Sequence, residues 1–177
     1  GAFKSLGLLD LKEILQAPRA RFVDLQYGDT AEERAALEAQ TGVKIEHLPD
    51  IDLFNDLEGL AALVAACDLV FTVCNVTVHR AGAVGRRVWL LTPHARGKIW
   101  YWFTGRPDSP WYPSARLFRQ PQTGDWDSVV ARVREELPRF TPEGIRSAPA
   151  RVPQSSPSPA PPLHQGGHGG VLRRLIR

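Results

Sequence analysis

The segment DLVFTV (68–73) is a continuous apolar run with no polar alternation. A strand can read this way only if both of its faces are buried, so the chain must supply a layer on each side of it. A second such run, RVWLLT (87–92), follows, and TVHRAGAV between them predicts a helix over 77–84. The same alternation extends to either side. LLDLKEIL (8–15) has helical spacing and stops before Pro18, and RFVDLQ (21–26) reads as a strand. DTAEERAALEAQTG (29–42) predicts a helix with Asp29 as N-cap, Glu32 completing a box-like spacing and Gly42 just past its end. VKIEHL (43–48) reads as a short strand and DLEGLAALVAAC (56–67) as an apolar helix capped by Asp56. RLFRQ (116–120) predicts a strand, and DWDSVVARVREEL (125–137) an amphipathic helix closed by Pro138. Strands alternating with helices of this length imply an α/β fold, a parallel sheet with helices on both faces. The stretch 94–113 is irregular and rich in aromatics, too long for an idle connection, and reads as a functional loop.

At 177 residues and 43% hydrophobic, the chain suffices for one domain with a sizeable core and hardly for two. Its net charge of +3 is misleading, because every Asp and Glu lies at or before Glu143 and five arginines follow. Removing those five leaves residues 1–145 with 17 basic against 19 acidic side chains, so the folded part, about 1–140, is near neutral and does not point to nucleic acid. From 147 to 177 the chain is rich in Pro, Ser and Gly and is expected to be disordered. His164 and His168 there lack the further ligands of a metal site, and the terminal VLRRLIR reads as a frayed end. Cys67 and Cys74 sit in apolar stretches without a CxxC, which suggests a reducing, cytoplasmic setting and no structural zinc. No apolar run is long enough to span a bilayer, and no signal peptide is evident. The absence of methionine, even at position 1, reads as a piece of a longer protein.

The turn VCNVTVH (73–79) joins a buried strand to a helix, and in open parallel sheets ligands collect at such carboxyl-end turns. The helix amides and the positive end of its dipole would favour a phosphate or diphosphate. Thr77 or Asn75 can cap the helix, with His79 a little further along it. Gly82 permits close approach of helix to strand, and Gly85 fits the left-handed position that ends a helix. Capping and termination alone explain the same residues equally well. AGAVG (81–85) ends a helix rather than opening one, so it is not a dinucleotide fingerprint.

The ordered segments FVDLQYGD (22–29), DIDLFNDLEGLAALVAACDLVFTVCNVTVHRAGAVGRRVWLLTP (50–93) and DSPWYPSARLFRQPQTGDWDSVVARVREEL (108–137) resemble the C-terminal half of heptosyltransferase-related glycosyltransferases, bacterial enzymes often found behind tetratricopeptide repeats. The resemblance covers roughly residues 3 to 138. It implies one Rossmann-like half of a GT-B fold, in which this half holds a nucleotide diphosphate sugar, with no metal ion or other cofactor. It further implies that Gln26 faces the donor cleft, that Asp56 opens a helix near the base and ribose, and that Asn75, Val76, Thr77, His79 and Arg80 form the turn that holds the diphosphate. His79 would stabilise the leaving diphosphate, and Trp111 and Tyr112 would wall the cleft or else form a packed turn.

Members of that family usually carry Asp where this chain has Cys74, a small hydroxyl residue at Val76 and an apolar residue at Arg80. An isopropyl group or a thiol does not replace a carboxylate on sugar hydroxyls, whereas a cation near a diphosphate is favourable. The first strand of this half and the acceptor-binding half lie outside the matched segments. Three readings follow: the donor half of a sugar transferase, a degenerate binding or scaffold module of the same fold, and another enzyme of that architecture such as an epimerase, for which no distinguishing carboxylates are present.

Overall fold

A computed structural model describes residues 6–18, 20–95 and 99–141. The tail expected to be disordered, with His164, His168 and VLRRLIR, lies outside the described residues.

Three parallel strands, β1 (Leu69–Val73), β2 (Arg87–Thr92) and β3 (Ala115–Arg119), pair in the order β1-β2-β3. Val70, Val88 and Ala115 stand in one register row, and Phe71, Trp89 and Arg116 in the next. Because side chains alternate along a strand, successive rows face opposite sides. One face (Val70, Val88, Leu90, Ala115, Leu117) packs with Leu60 and Val64 of α3 (Leu57–Ala66) and Val78 and Ala81 of α4 (Val76–Ala83). The other face (Trp89, Leu91, Phe118) packs with Ile14 of α1 (Lys12–Leu15) and Val129, Val130 and Val133 of α5 (Asp127–Glu136). The sheet is covered on both faces, as its apolar runs require.

Helix boundaries follow local chemistry. Asp56 Oδ1 accepts the Gly59 amide at 2.7 Å and starts α3. A Cβ on Gly59 would collide with that carboxylate, so glycine there lets the cap close. Helix α4 ends in a Schellman arrangement, with Arg86 N donating to Ala81 O at 2.9 Å and Gly85 N to Gly82 O at 3.1 Å, Gly85 taking a φ of 72°. At α5, Asp125 Oδ1 accepts the Ser128 amide at 3.0 Å.

The N-terminal part departs from the sequence expectation. The helix expected over 8–15 begins as a 3₁₀ turn at Leu8–Leu11 before α1. The helix expected over 29–42 is α2 (Ala31–Thr41). Thr30, not Asp29, holds the N-cap position, its hydroxyl accepting no helix backbone amide but only the Arg34 Nε at 3.1 Å, while Asp29 Oδ1 accepts the Ala31 amide at 2.9 Å. The strands expected over 21–26 and 43–48 reduce to one parallel bridge, Val23 with Glu46. The reason is local: Asp24 turns its carboxylate onto the Gln26 amide at 2.9 Å and onto the Thr30 hydroxyl, an Asx-type turn that competes with the ladder. Leu15, Leu37 and Ile45 bury a separate small core there, and Phe22 meets Phe71 of β1 edge-on with ring centroids 6.2 Å apart.

Candidate functional site

At the carboxyl end of β1, Asn75 caps α4: its Oδ1 accepts the Thr77 amide at 2.9 Å and lies 3.3 Å from the Thr72 hydroxyl, a donor to it. The cap is therefore Asn75 rather than Thr77, and one of the amides open to a ligand is already engaged. Thr77 is buried, and Val76 beside it is half exposed.

His79, one turn into α4, sits in an aromatic cage. Its Nδ1 is 3.0 Å from the Tyr112 hydroxyl and its Nε2 is 3.3 Å from that of Tyr101, while its ring stacks on Trp102 at 5.5 Å and 24°. A neutral imidazole needs one donor and one acceptor, and an imidazolium two acceptors. A tyrosine hydroxyl can be either, so this cage holds the ring in one orientation in both protonation states. Burial, and then the adjacent Cys74 thiol, raises the Tyr101 phenol above its ordinary value, so it keeps its proton for this bond.

Glycine at 82 makes the cage possible. A Cβ there would run into the Tyr112 ring, so the glycine serves close approach of a tyrosine to the helix, where the sequence suggested a strand. The SPWYP segment (109–113) that carries this tyrosine is an ordered turn. Buried Ser109 accepts the Trp111 and Tyr112 amides on its Oγ at 3.2 and 3.3 Å, and Trp111 Nε1 donates to the Tyr101 carbonyl at 3.1 Å. Trp111 thus belongs to a packed turn, and its side chain remains 57% exposed.

Cys74 accepts a hydrogen bond from the buried Trp102 indole, Nε1 to Sγ 3.0 Å. It thus supplies the acceptor that an aspartate would, without the charge. Trp102 in turn is tied to β3 by Arg119, whose Nη2 donates to the Trp102 carbonyl at 3.1 Å and the Phe103 carbonyl at 2.6 Å. Phe103 has a φ of 37°, a strained value for a non-glycine residue, directly where Arg119 clamps it. Arg119 Nη1 and the hydroxyl of Thr92, its register partner, are buried and have no partner among the described residues.

Of the remaining expected residues, Arg80 lies at this centre and Gln26 does not join it. Arg80 reaches across to the start of α3, Nη1 to the Leu57 carbonyl at 3.4 Å. A groove of about 360 Å³ is lined by Ala61, Val76, His79, Arg80 and Tyr112, together with Ala83 and Val84. Gln26 is exposed, and no side-chain contact among those described joins it to the turn, although its neighbour Leu25 packs in the same cluster as Cys74 and Tyr112. Tyr101, Trp102, Thr92 and Arg119 were not singled out from sequence. The aromatic run IWYWF marked the first two as a region, and nothing marked Thr92 or Arg119. Among the described residues no group of three or more His, Cys, Asp or Glu could hold a metal ion, and no helix is long and apolar enough to cross a membrane.

No protein-family model matches the chain. No solved structure matches it either. Among curated proteins, Protein FlbA of Caulobacter vibrioides is 42% identical over 127 residues, which is 72% of this chain and 21% of that protein. The chain thus spans about a fifth of the length of the curated relative it matches.

Proposed function

We propose that these residues are the Rossmann-like, donor-binding half of a GT-B glycosyltransferase, holding a nucleotide diphosphate sugar at the carboxyl ends of β1 and β2. The observation that carries the reading is the fixed imidazole of His79. Two tyrosine hydroxyls and a stacked indole orient it beside the α4 N-terminus and a groove wide enough for part of a nucleotide. If the longer contact to Tyr101 opens, Nε2 of this preoriented ring can donate to a departing diphosphate as the glycosidic bond breaks, with Arg80 adding positive charge. The acceptor would be presented by a second half outside these residues, so transfer would require the longer protein.

The alternative, a non-catalytic binding or scaffold module of the same fold, is favoured by one specific feature. Both His79 nitrogens and the Asn75 carboxamide oxygen are already bonded within the protein.

Calorimetric titration with nucleoside diphosphates separates the two. The donor reading expects saturable binding that weakens at least several-fold in His79→Ala and stays unchanged in Glu135→Gln, an exposed control on α5. Equal affinity in both variants would remove His79 from the site and leave the scaffold reading.

A further inference from the structure

A second groove, of about 320 Å³, lies at the opposite, amino-terminal edge of the sheet. Arg87 and Trp89 of β2 and Arg116 of β3 line one side of it. Glu136 at the end of α5, then Arg139 and Phe140, line the other. Arg116 donates Nη1 and Nη2 to the Glu136 carboxylate at 3.0 and 3.1 Å, and Arg139 Nη1 is 3.8 Å from the same group. The Arg87 guanidinium lies over the Phe140 ring, 5.3 Å from its centroid. Ser114, which also lines the groove, has a buried Oγ with no partner among the described residues.

Three guanidinium groups face one carboxylate. The carboxyl-terminal pole of α5 adds about half a negative charge, leaving an excess of roughly one and a half positive charges. A phosphomonoester carries about −1.5 to −2 at neutral pH and presents oxygens that match the arginine fork. The volume suits a small molecule at the lower end of known sites, roughly 300 to 1,000 Å³. The aromatic walls offer an apolar surface for an attached organic group.

We propose that this groove binds a small phosphomonoester, with the phosphate between Arg87 and Arg139 and an apolar or aromatic group against Trp89 and Phe140. The site is separate from the His79 centre and does not depend on the function assigned there. The test is ligand-observed NMR titration with phenyl phosphate, compared with inorganic phosphate. Saturable binding tighter than that of inorganic phosphate is expected, weakened about ten-fold by Arg139→Gln and by Arg87→Gln and unaffected by His79→Ala. The Arg139 side chain is 74% exposed, so its replacement leaves folding intact. Affinity should also fall as the pH drops below about 6, where the phosphate loses its second charge. Absence of saturation, or binding indifferent to both arginine replacements, would overturn the proposal. Equal affinity for inorganic phosphate would overturn the assigned role of the aromatic wall.

Discussion

At the carboxyl ends of the strands, His79 has a tyrosine hydroxyl near each ring nitrogen, Cys74 holds the Trp102 indole, and Arg119 holds the turn above them. At the amino ends, Arg87 and Arg139 extend over an open groove and only Arg116 has a close bidentate partner. The same three strands therefore end in one region organised by hydrogen bonds and ring stacking, without an ion pair among the described residues, and another organised by ion pairing. Anion binding should weaken with ionic strength at both, and more steeply at the second, where three guanidinium groups gather against the one Arg80 of the first.

Trp102→Ala breaks this contrast most severely. It empties a fully buried site, frees the Cys74 thiol and removes the stacking partner of His79. A loss of about 3–5 kcal/mol in chemical denaturation is expected. Cys74→Val keeps the volume but leaves a buried indole N–H without an acceptor, for a loss of about 1–3 kcal/mol. Cys74→Asp retains an acceptor and should melt closer to the parent than Cys74→Val. A lower melting temperature for the aspartate variant would show that the thiol's neighbours have closed around an uncharged group.

Gly82→Ala sets two effects against each other. Alanine raises helix propensity by about 1 kcal/mol, and the collision with Tyr112 costs about 1–3 kcal/mol. The collision should prevail, lowering stability and displacing the tyrosine from His79, which an imidazole NMR titration of the variant would register. Asn75→Ala removes the α4 cap and one acceptor of the Thr72 hydroxyl, which keeps the Val73 carbonyl, for about 1 kcal/mol by thermal melting.

The pH response of the cage is the smallest expected effect. Burial and then the Cys74 thiol raise the Tyr101 phenol in the folded protein, so the folded state holds this proton more tightly than the unfolded chain. The associated stability is complete below the ordinary tyrosine range and is lost as the pH rises above about 10. Comparing the phenolate absorbance titration of the parent with Tyr101→Phe should reveal one late-titrating tyrosine.

Much of the central fold was legible because its strands are buried on both faces and read as apolar runs without ambiguity. The runs at 68–73 and 87–92, the Asp56 cap and the Gly85 terminator all rest on local pattern, and the structure places each within a residue or two of its expected position. The segments 21–26 and 43–48 misled for the same reason in reverse. Their apolar spacing suits a strand, but the Asp24 carboxylate serves a turn instead of leaving the backbone to a ladder. At the candidate site, sequence could place Asn75 and His79 at the strand end. It could not show that Tyr101 and Tyr112, 22 and 33 residues away, meet the imidazole, because such contacts depend on the path of a long loop. Arg119 was hidden in an ordinary strand pattern.

The claim that a nucleoside diphosphate binds at the carboxyl edge is tested most directly by titrating uniformly ¹⁵N-labelled protein with uridine, guanosine, cytidine and adenosine diphosphates. Amide shifts locate binding at either edge. The account predicts that at least one of them produces saturable shifts concentrated at 74–80 and 109–112, lost in His79→Ala and retained in Arg139→Gln. Shifts confined to 114–116 and 136–140, or none at 74–80 with any of the four, would contradict it.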